Sequence, residues 1–317
     1  MRDTFYIGTR GSKLAFCQAN SVKLCLEERY PHLSFKIVKI KTTGDKVRDV
    51  PLAKIGGKGL FVKEIEEALL AGRIDFAVHS MKDVPTVLPS GLKIGAITKR
   101  ENPLDVLISR EEKRLEELPL GARIGTSSLR RKAQLLNLRP DLKIEPIRGN
   151  LDTRIKKLKT EGFDSIIVAA SGVIRMGWEE KITEYLSPSI VLPAIGQGAL
   201  GIETRQDDLE TNELISFLHH LESARIITAE RAFLKTLEGG CQVPIAALGI
   251  IEKGKISLEG LIGSLDGRKI IREKVEGLPE EAEKIGIDLA KRLVSAGGGS
   301  ILKEIYKEKD LLRATAV

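Results

Sequence analysis

The sequence predicts an α/β protein of two lobes with a smaller α+β domain at its C-terminal end. Three observations predict it. From Thr4 to about residue 203, apolar stretches of strand length alternate with stretches of helical length, the pattern of βαβ units. Two segments, Lys99 to Pro103 and Pro188 to Gly198, read as crossovers between such units, and two crossings mark two lobes with a cleft between them. From 243 onward come three strands (243–251, 256–264, 268–275) and then helices at about 279–295 and 299–307. The boundaries read this way are 1–98 with 199–217 for the first lobe, 104–192 for the second and 221–317 for the α+β domain. A chain of 317 residues is long enough for two or three domains.

Composition narrows the partners. The chain is 42% hydrophobic and 30% charged, as in soluble globular proteins. It has no apolar run long enough to span a bilayer, and its N-terminus leads directly into a strand with no signal or transit character. Three cysteines do not make a disulfide framework, so a reducing cytoplasm is expected. A net charge of +7 implies acidic partners. Aromatic residues at 4% argue against a base-stacking surface, and no run of five basic residues is present. The arginines stand singly or in pairs beside glycine and serine, which suits a pocket for carboxylates or phosphates. Asn and Gln number five each while Lys, Glu and Ile abound, a lean towards a thermophilic source.

In chain order, a strand at 4–9 runs into Gly8-Thr9-Arg10-Gly11-Ser12, and Ser12 caps a helix at about 13–29. Arg10 and Ser12 lie where strand gives way to helix, the edge at which open α/β sheets bind ligands. Cys17 and Cys25 share that helix, and core packing is expected for both. After a strand at Phe35 to Lys41, the segment Lys54-Ile55-Gly56-Gly57-Lys58-Gly59-Leu60-Phe61 reads as a mobile loop able to approach an anion, or as a plain solvated loop; it lacks P-loop spacing. A helix follows at about 60–71.

The strand Ile74 to His79 runs into Ser80-Met81-Lys82-Asp83-Val84-Pro85. Asp83, just past a strand end, is a general acid or base, a counter-ion to a cationic intermediate, or an ordinary turn aspartate before proline. His79 reads as core. A strand at Leu92 to Thr98 precedes the first crossover, and Asp105 to Ser109 opens the second lobe.

In that lobe, Gly125-Thr126-Ser127-Ser128-Leu129-Arg130-Arg131 places two arginines in the first turn of a helix, where the macrodipole disfavours cations. Hydroxyls, free amides and two guanidiniums converging there make an anion site, the reading preferred over an arginine pair on a solvated helix face. The theme repeats: strand 143–147 leads to Arg148-Gly149-Asn150 with Asn150 as cap and Arg154 one turn on, and strand 165–170 leads to Arg175. Residues 209–237 read as helical, with His219 and His220 exposed. Gly239-Gly240-Cys241-Gln242-Val243-Pro244 then forms a tight loop before a strand. Cys241 is either a reactive thiol on rigid support or a buried small hydrophobe. No zinc spacing and no GxGxxG after a strand is present, so no metal is expected.

Taken together, Gly56-Gly57-Lys58-Gly59-Leu60-Phe61, His79 to Pro85, Gly125 to Arg131, Arg148-Gly149-Asn150, Leu192-Pro193-Ala194-Ile195-Gly196-Gln197-Gly198 and Gly239 to Pro244 resemble the hydroxymethylbilane synthase (porphobilinogen deaminase) family over nearly the whole chain. The resemblance implies two periplasmic-binding-protein-like lobes plus the small domain. It implies one covalent dipyrromethane per chain on a thioether at Cys241, and a catalytic aspartate at Asp83. Lys82, Ser128, Arg130 and Arg131 would bind the cofactor. Arg10, Ser12, Arg148, Arg154, Arg175 and Gln197 would bind substrate. Lys54, Lys58 and Phe61 would belong to a loop over the active site. The implied reaction joins four porphobilinogen molecules head to tail with loss of ammonia and releases hydroxymethylbilane by hydrolysis, in tetrapyrrole biosynthesis. The expected protein is a cytoplasmic monomer that binds neither nucleic acid nor membrane.

Two other readings use the same residues. A two-lobed anion receptor without catalysis explains the arginines but leaves Cys241 and Lys82-Asp83 without a purpose. A nucleic-acid-binding protein explains the charge but predicts steeply salt-dependent binding without the aromatic residues to support it.

Overall fold

The computed structural model describes residues 2–43, 62–238 and 243–314, with side chains to residue 307. The first sheet has the order β2-β1-β3-β10-β4, built from β1 (Thr4–Arg10), β2 (Ser34–Ile40), β3 (Phe76–Ser80), β4 (Leu92–Ile97) and β10 (Leu200–Arg205). Helices α1 (Lys13–Arg29) and α2 (Lys63–Leu70) pack on it. The second sheet has the order β7-β6-β8-β5-β9, from β5 (Asp105–Ser109), β6 (Arg123–Gly125), β7 (Lys143–Glu145), β8 (Ser165–Ala169) and β9 (Glu184–Leu186). Its helices are α3 (Leu129–Leu138), α4 (Leu151–Thr160) and α5 (Ala170–Arg175). A third, antiparallel sheet of β11 (Ile245–Glu252), β12 (Lys255–Gly263) and β13 (Ile270–Gly277) is covered by α7 (Leu221–Thr236), α8 (Ala282–Leu293) and α9 (Gly299–Ala314), with the short α6 (Leu209–Ile215) back in the first lobe. The expected α/β class and its smaller α+β domain are both present.

Central strands read as unbroken apolar runs because helices cover both faces of their sheets. All of β8 is buried, and Phe5, Ile7, Phe76 and Ile202 fill the first lobe. In each large sheet one strand runs against its neighbours. β10 is antiparallel to β3 and β4, with Leu200 opposite Ser80. β5 is antiparallel to β8 and β9, with Asp105 opposite Ala169. Parallel strands present their C-terminal ends to the ligand edge. An antiparallel strand therefore enters the sheet at that same edge, so both crossovers end at the ligand edges of the two sheets. Met81 N–H donates to Ala199 O at 3.0 Å, which seats the returning crossover beside the end of β3.

The third domain grips this crossover. Ile195 lies in its core, and Glu230 of α7, fully buried, accepts from Gly196 N at 2.7 Å and from Arg100 Nη1 at 2.6 Å.

Several local expectations are corrected. The helix expected over 209–237 breaks at His219 and His220, because His220 N donates to Ile97 O at 2.8 Å and its Nδ1 caps α7, accepting from Ser223 N at 3.2 Å. His219 is exposed, as expected, and His220 half-buried. The strand expected to reach 147 stops at Glu145, before Pro146, which has no N–H to donate. The edge strand β9 carries no apolar run and was not legible. Cys25 is exposed rather than core, and Cys17 is half-buried with its Sγ donating to Arg175 O. Among the described residues no helix is long and apolar enough to cross a membrane.

Gly198 marks how closely the crossovers meet. Its φ is +95°, and a Cβ there would lie 2.3 Å from Glu101 O. Gly198→Ala is expected to cost about 2–4 kcal/mol, read as a lowered unfolding midpoint. Gly11→Ala, where nothing lies within 4 Å, is the matched control and is expected to leave the midpoint unchanged.

Candidate active site

The first lobe contributes two strand ends. β1 ends at Arg10, and Ser12 caps α1 by accepting from Ala15 N at 3.1 Å. β3 passes into a single 3₁₀ turn, Met81–Asp83. Met81 and Val84, both buried, anchor the two sides of that turn and leave Lys82 and Asp83 half-buried between them. From behind, Arg231 of α7 donates to Val84 O at 3.0 Å and Pro85 O at 2.6 Å, which ties the turn to the third domain.

The second lobe contributes two helix starts and one helix end. Ser128 caps α3, accepting from Arg131 N at 3.4 Å. The guanidiniums of Arg130 and Arg131 turn back into the lobe, where burial is nearly complete. Each places one nitrogen 2.6 Å from a different oxygen of Asp105, which is itself fully buried. Arg130 also donates to Leu192 O at 2.6 Å and Arg131 to Ile167 O at 2.8 Å. Asp105 answers the unfavourable placement of two cations at a helix N-terminus. Asn150 occupies the N-cap position of α4 without a side-chain capping bond, while Arg154 Nε donates to Gly149 O at 2.8 Å. Arg175, at the end of α5, reaches Gly198 O at 2.7 Å.

Gln197 joins the lobes. It is fully buried, and its amide donates to Pro103 O at 2.7 Å and Asp105 Oδ1 at 2.9 Å. Its Oε1 accepts from Lys82 Nζ at 3.3 Å. The residue expected to meet substrate thus has its donors committed to the opposite crossover.

These contacts set the protonation of the site. Burial pushes the Lys82 ammonium down to about 8; Asp83 opposes this, Arg131 and Arg130 reinforce it, and Asp105 opposes it. Burial would raise Asp105, but Arg130 and Arg131 hold it well below the usual carboxylate range. Burial lowers Arg154 to about 10, with Arg131 and Arg148 adding to the effect and Asp83 resisting it. Arg130 and Arg131 thus act on Lys82, and Arg131 and Arg148 on Arg154, while Asp83 counters on both and Asp105 on Lys82 and Arg130. Arg131 Nε is buried with no hydrogen-bond partner. An excess of desolvated cations and an unused buried donor suit a ligand bearing several carboxylates.

The structure thus brings Lys82, Asp83, Arg130, Arg131, Arg148, Arg154 and Gln197 into one electrostatic neighbourhood. Arg10 and Ser12 lie at the neighbouring strand end. Lys54, Lys58, Phe61 and Cys241 lie outside the described residues. His79 is core, its Nε2 2.9 Å from buried Glu203. No group of His, Cys, Asp and Glu among the described residues could hold a metal ion. Sequence reasoning missed Asp105; the available signal was an acidic residue opening an otherwise apolar strand.

Fold and site define a two-lobed α/β protein whose cleft suits a polyanion. The family profile described as "Porphobilinogen deaminase, dipyromethane cofactor binding domain" matches residues 5–213, and "Porphobilinogen deaminase, C-terminal domain" matches residues 224–295. The porphobilinogen deaminase of Syntrophobacter fumaroxidans is 53% identical over 301 residues, covering 95% of this chain and 97% of the relative. That of Geotalea uraniireducens is 55% identical over 306 residues, covering 96% of each. This chain belongs to the porphobilinogen deaminase family. Similar solved structures include the aliphatic sulphonate binding protein SsuA of Escherichia coli (TM-score 0.40, 15% identity, 75% of this chain and 71% of that one). Another is the methionine binding protein MetQ (TM-score 0.43, 17% identity, 68% and 89%).

The Lys82 shift makes a stability prediction. Below pH 8 both folded and unfolded chains carry the proton. Between about 8 and the ordinary lysine value of 10.5 the unfolded chain holds a proton that the folded one lacks, so folding gains as pH rises. In a cofactor-free Cys241→Ser background, the protein with Lys82 is expected to gain stability relative to Lys82→Met across that window. The gain is at most about 3 kcal/mol, measured by denaturant unfolding at a series of pH values.

Proposed function

We propose that the chain is a hydroxymethylbilane synthase that condenses four porphobilinogen molecules head to tail and releases the linear tetrapyrrole by hydrolysis. The single observation that carries this is the gathering of Lys82, Arg130, Arg131 and Arg154 about two carboxylates, the half-buried Asp83 and the buried Asp105. Porphobilinogen bears two carboxylates, and each added unit brings two more, so the product is the kind of polyanion such a cleft accepts.

When bound, the dipyrromethane supplies the nucleophilic pyrrole α-carbon from which the product grows. Its thioether is assigned to Cys241, which follows α7 closely, and its carboxylates to Lys82, Ser128, Arg130 and Arg131. The orphaned Nε of Arg131 is the donor that an incoming carboxylate oxygen would satisfy. Arg10, Ser12, Arg148, Arg154 and Arg175 hold the carboxylates of the arriving substrate, with Gln197 acting through Lys82. Lys54, Lys58 and Phe61 belong to a loop that covers the site.

Asp83 performs the proton work. As the acid it delivers a proton to the amine that leaves as ammonia, and the substrate becomes an electrophilic azafulvene. As the carboxylate it then faces the positive charge on the pyrrole nitrogens and helps take the α-proton released when the new carbon–carbon bond has formed. Fixed cations keep the substrate carboxylates away from Asp83, so one carboxylate alone meets the reacting centre.

The lobes are assigned to 1–98 with 199–217 and to 104–192, and the cofactor-bearing domain to 221–317. The protein works as a monomer in the cytoplasm. Two free thiols, Cys17 and Cys25, suit that compartment, and basic groups gathered in the cleft suit a small polyanion rather than nucleic acid.

Asp83→Asn is expected to keep the fold and the bound cofactor while ammonia release from porphobilinogen falls by at least about a hundredfold. Near-normal release by the variant removes Asp83 from the mechanism.

A further inference from the structure

We propose that Asp105 is a positioning residue for this reaction: it holds Arg130 and Arg131 in the geometry that receives the cofactor carboxylates and, through Gln197, sets the place of Lys82. The proposal rests on the function reading above and assigns a role to a side chain that touches no reacting atom.

Four observations support it. Asp105 is fully buried, and its two oxygens divide their hydrogen bonds between the two arginines at equal distances of 2.6 Å. Oδ1 also accepts from Gln197 Nε2 at 2.9 Å, and Gln197 Oε1 faces Lys82 Nζ at 3.3 Å. One carboxylate therefore contacts two of the cations directly and reaches a third through a single amide. Second, its position is dictated by topology: as the first residue of an antiparallel strand, opposite Ala169, it stands at the ligand edge of the second sheet. Third, Asp105 occupies only one nitrogen of each guanidinium, and the buried Nε of Arg131 is left for another acceptor. Fourth, the amide of Gln197 also donates to Pro103 O at 2.7 Å, so the carboxylate sits where the outgoing and returning crossovers are joined.

Charge alone does not require this arrangement. A carboxylate anywhere nearby would offset the repulsion between two guanidiniums. Dividing its oxygens between them fixes the planes of both, and so the directions in which their remaining N–H groups point.

The roles separate when position is changed without changing charge. Asp105→Glu keeps the carboxylate but moves it by one methylene; Asp105→Asn keeps the shape and removes the charge. Both are made in the full chain and compared with the parent by unfolding midpoint, by intact mass for the fraction carrying two pyrrole units, and by ammonia release per cofactor-bearing molecule across pH. For Asp105→Glu, well below its midpoint, the expected result is at least a threefold loss in cofactor-bearing fraction and a tenfold loss of turnover in the loaded molecules. Asp105→Asn is expected to lose more of both and to move its pH profile to lower pH, because Lys82 loses a nearby carboxylate. If Asp105→Glu loads fully and turns over normally, the positioning role is overturned and Asp105 is a counter-ion only. That result decides the matter even if Asp105→Asn does not fold. If the parent itself carries no added mass and releases no ammonia, the function reading fails instead, a separate outcome.

Discussion

The guanidiniums of Arg130 and Arg131 lie against opposite oxygens of one buried carboxylate, at the start of a helix whose dipole repels them. Much of the cleft depends on that contact. Without Asp105, Arg130 and Arg131 would lose the one carboxylate they are hydrogen-bonded to in a buried region, and burying an unpaired cation is costly. With it, the cations stay charged, and their excess over the carboxylates is available to an anionic ligand. A site built this way carries like charges that an anionic ligand offsets, which suits a reaction whose bound species gains carboxylates at every step.

Sheet topology puts the parts within reach. In each lobe a strand set against its neighbours begins at the ligand edge, and the segment leading into it is a crossover between lobes. The outgoing crossover delivers Asp105, the returning one delivers Gln197, and the two are hydrogen-bonded to each other. The third domain takes hold of the returning crossover through Glu230 and braces the Asp83 turn through Arg231. Both residues lie on α7, the helix that leads towards Cys241. One helix thus braces the Lys82-Asp83 turn and, in sequence, precedes Cys241, the residue proposed to carry the cofactor.

Much of this was legible in the sequence because it is local. Strand ends followed by Arg10-Gly11-Ser12, by Lys82-Asp83 and by Ser128 to Arg131 announce their place at a sheet edge through short-range signals, and the structure has strand ends and helix caps at those positions. What escaped depends on non-local partners. Asp105 reads only as the first residue of a strand until the fold places it against Arg130 and Arg131 of α3. Gln197 looks like a polar cleft residue, yet burial against the other crossover uses its donors. The break before α7 arises from His220, whose bond to Ile97 joins residues more than a hundred positions apart. Cys25 shares a helix with Cys17 but falls on the exposed side, since core-facing positions are set by what the helix packs on.

The central claim is that this chain carries its growing product on a primer held by one cysteine. Its most direct test is the intact mass of the denatured protein beside that of Cys241→Ser, each weighed before and after incubation with porphobilinogen. The account predicts wild type heavier than its sequence by two pyrrole units, further pyrrole units after substrate, and the variant at its bare mass throughout. Wild type still at its bare mass after porphobilinogen would contradict the account and leave an anion-binding protein without the chemistry.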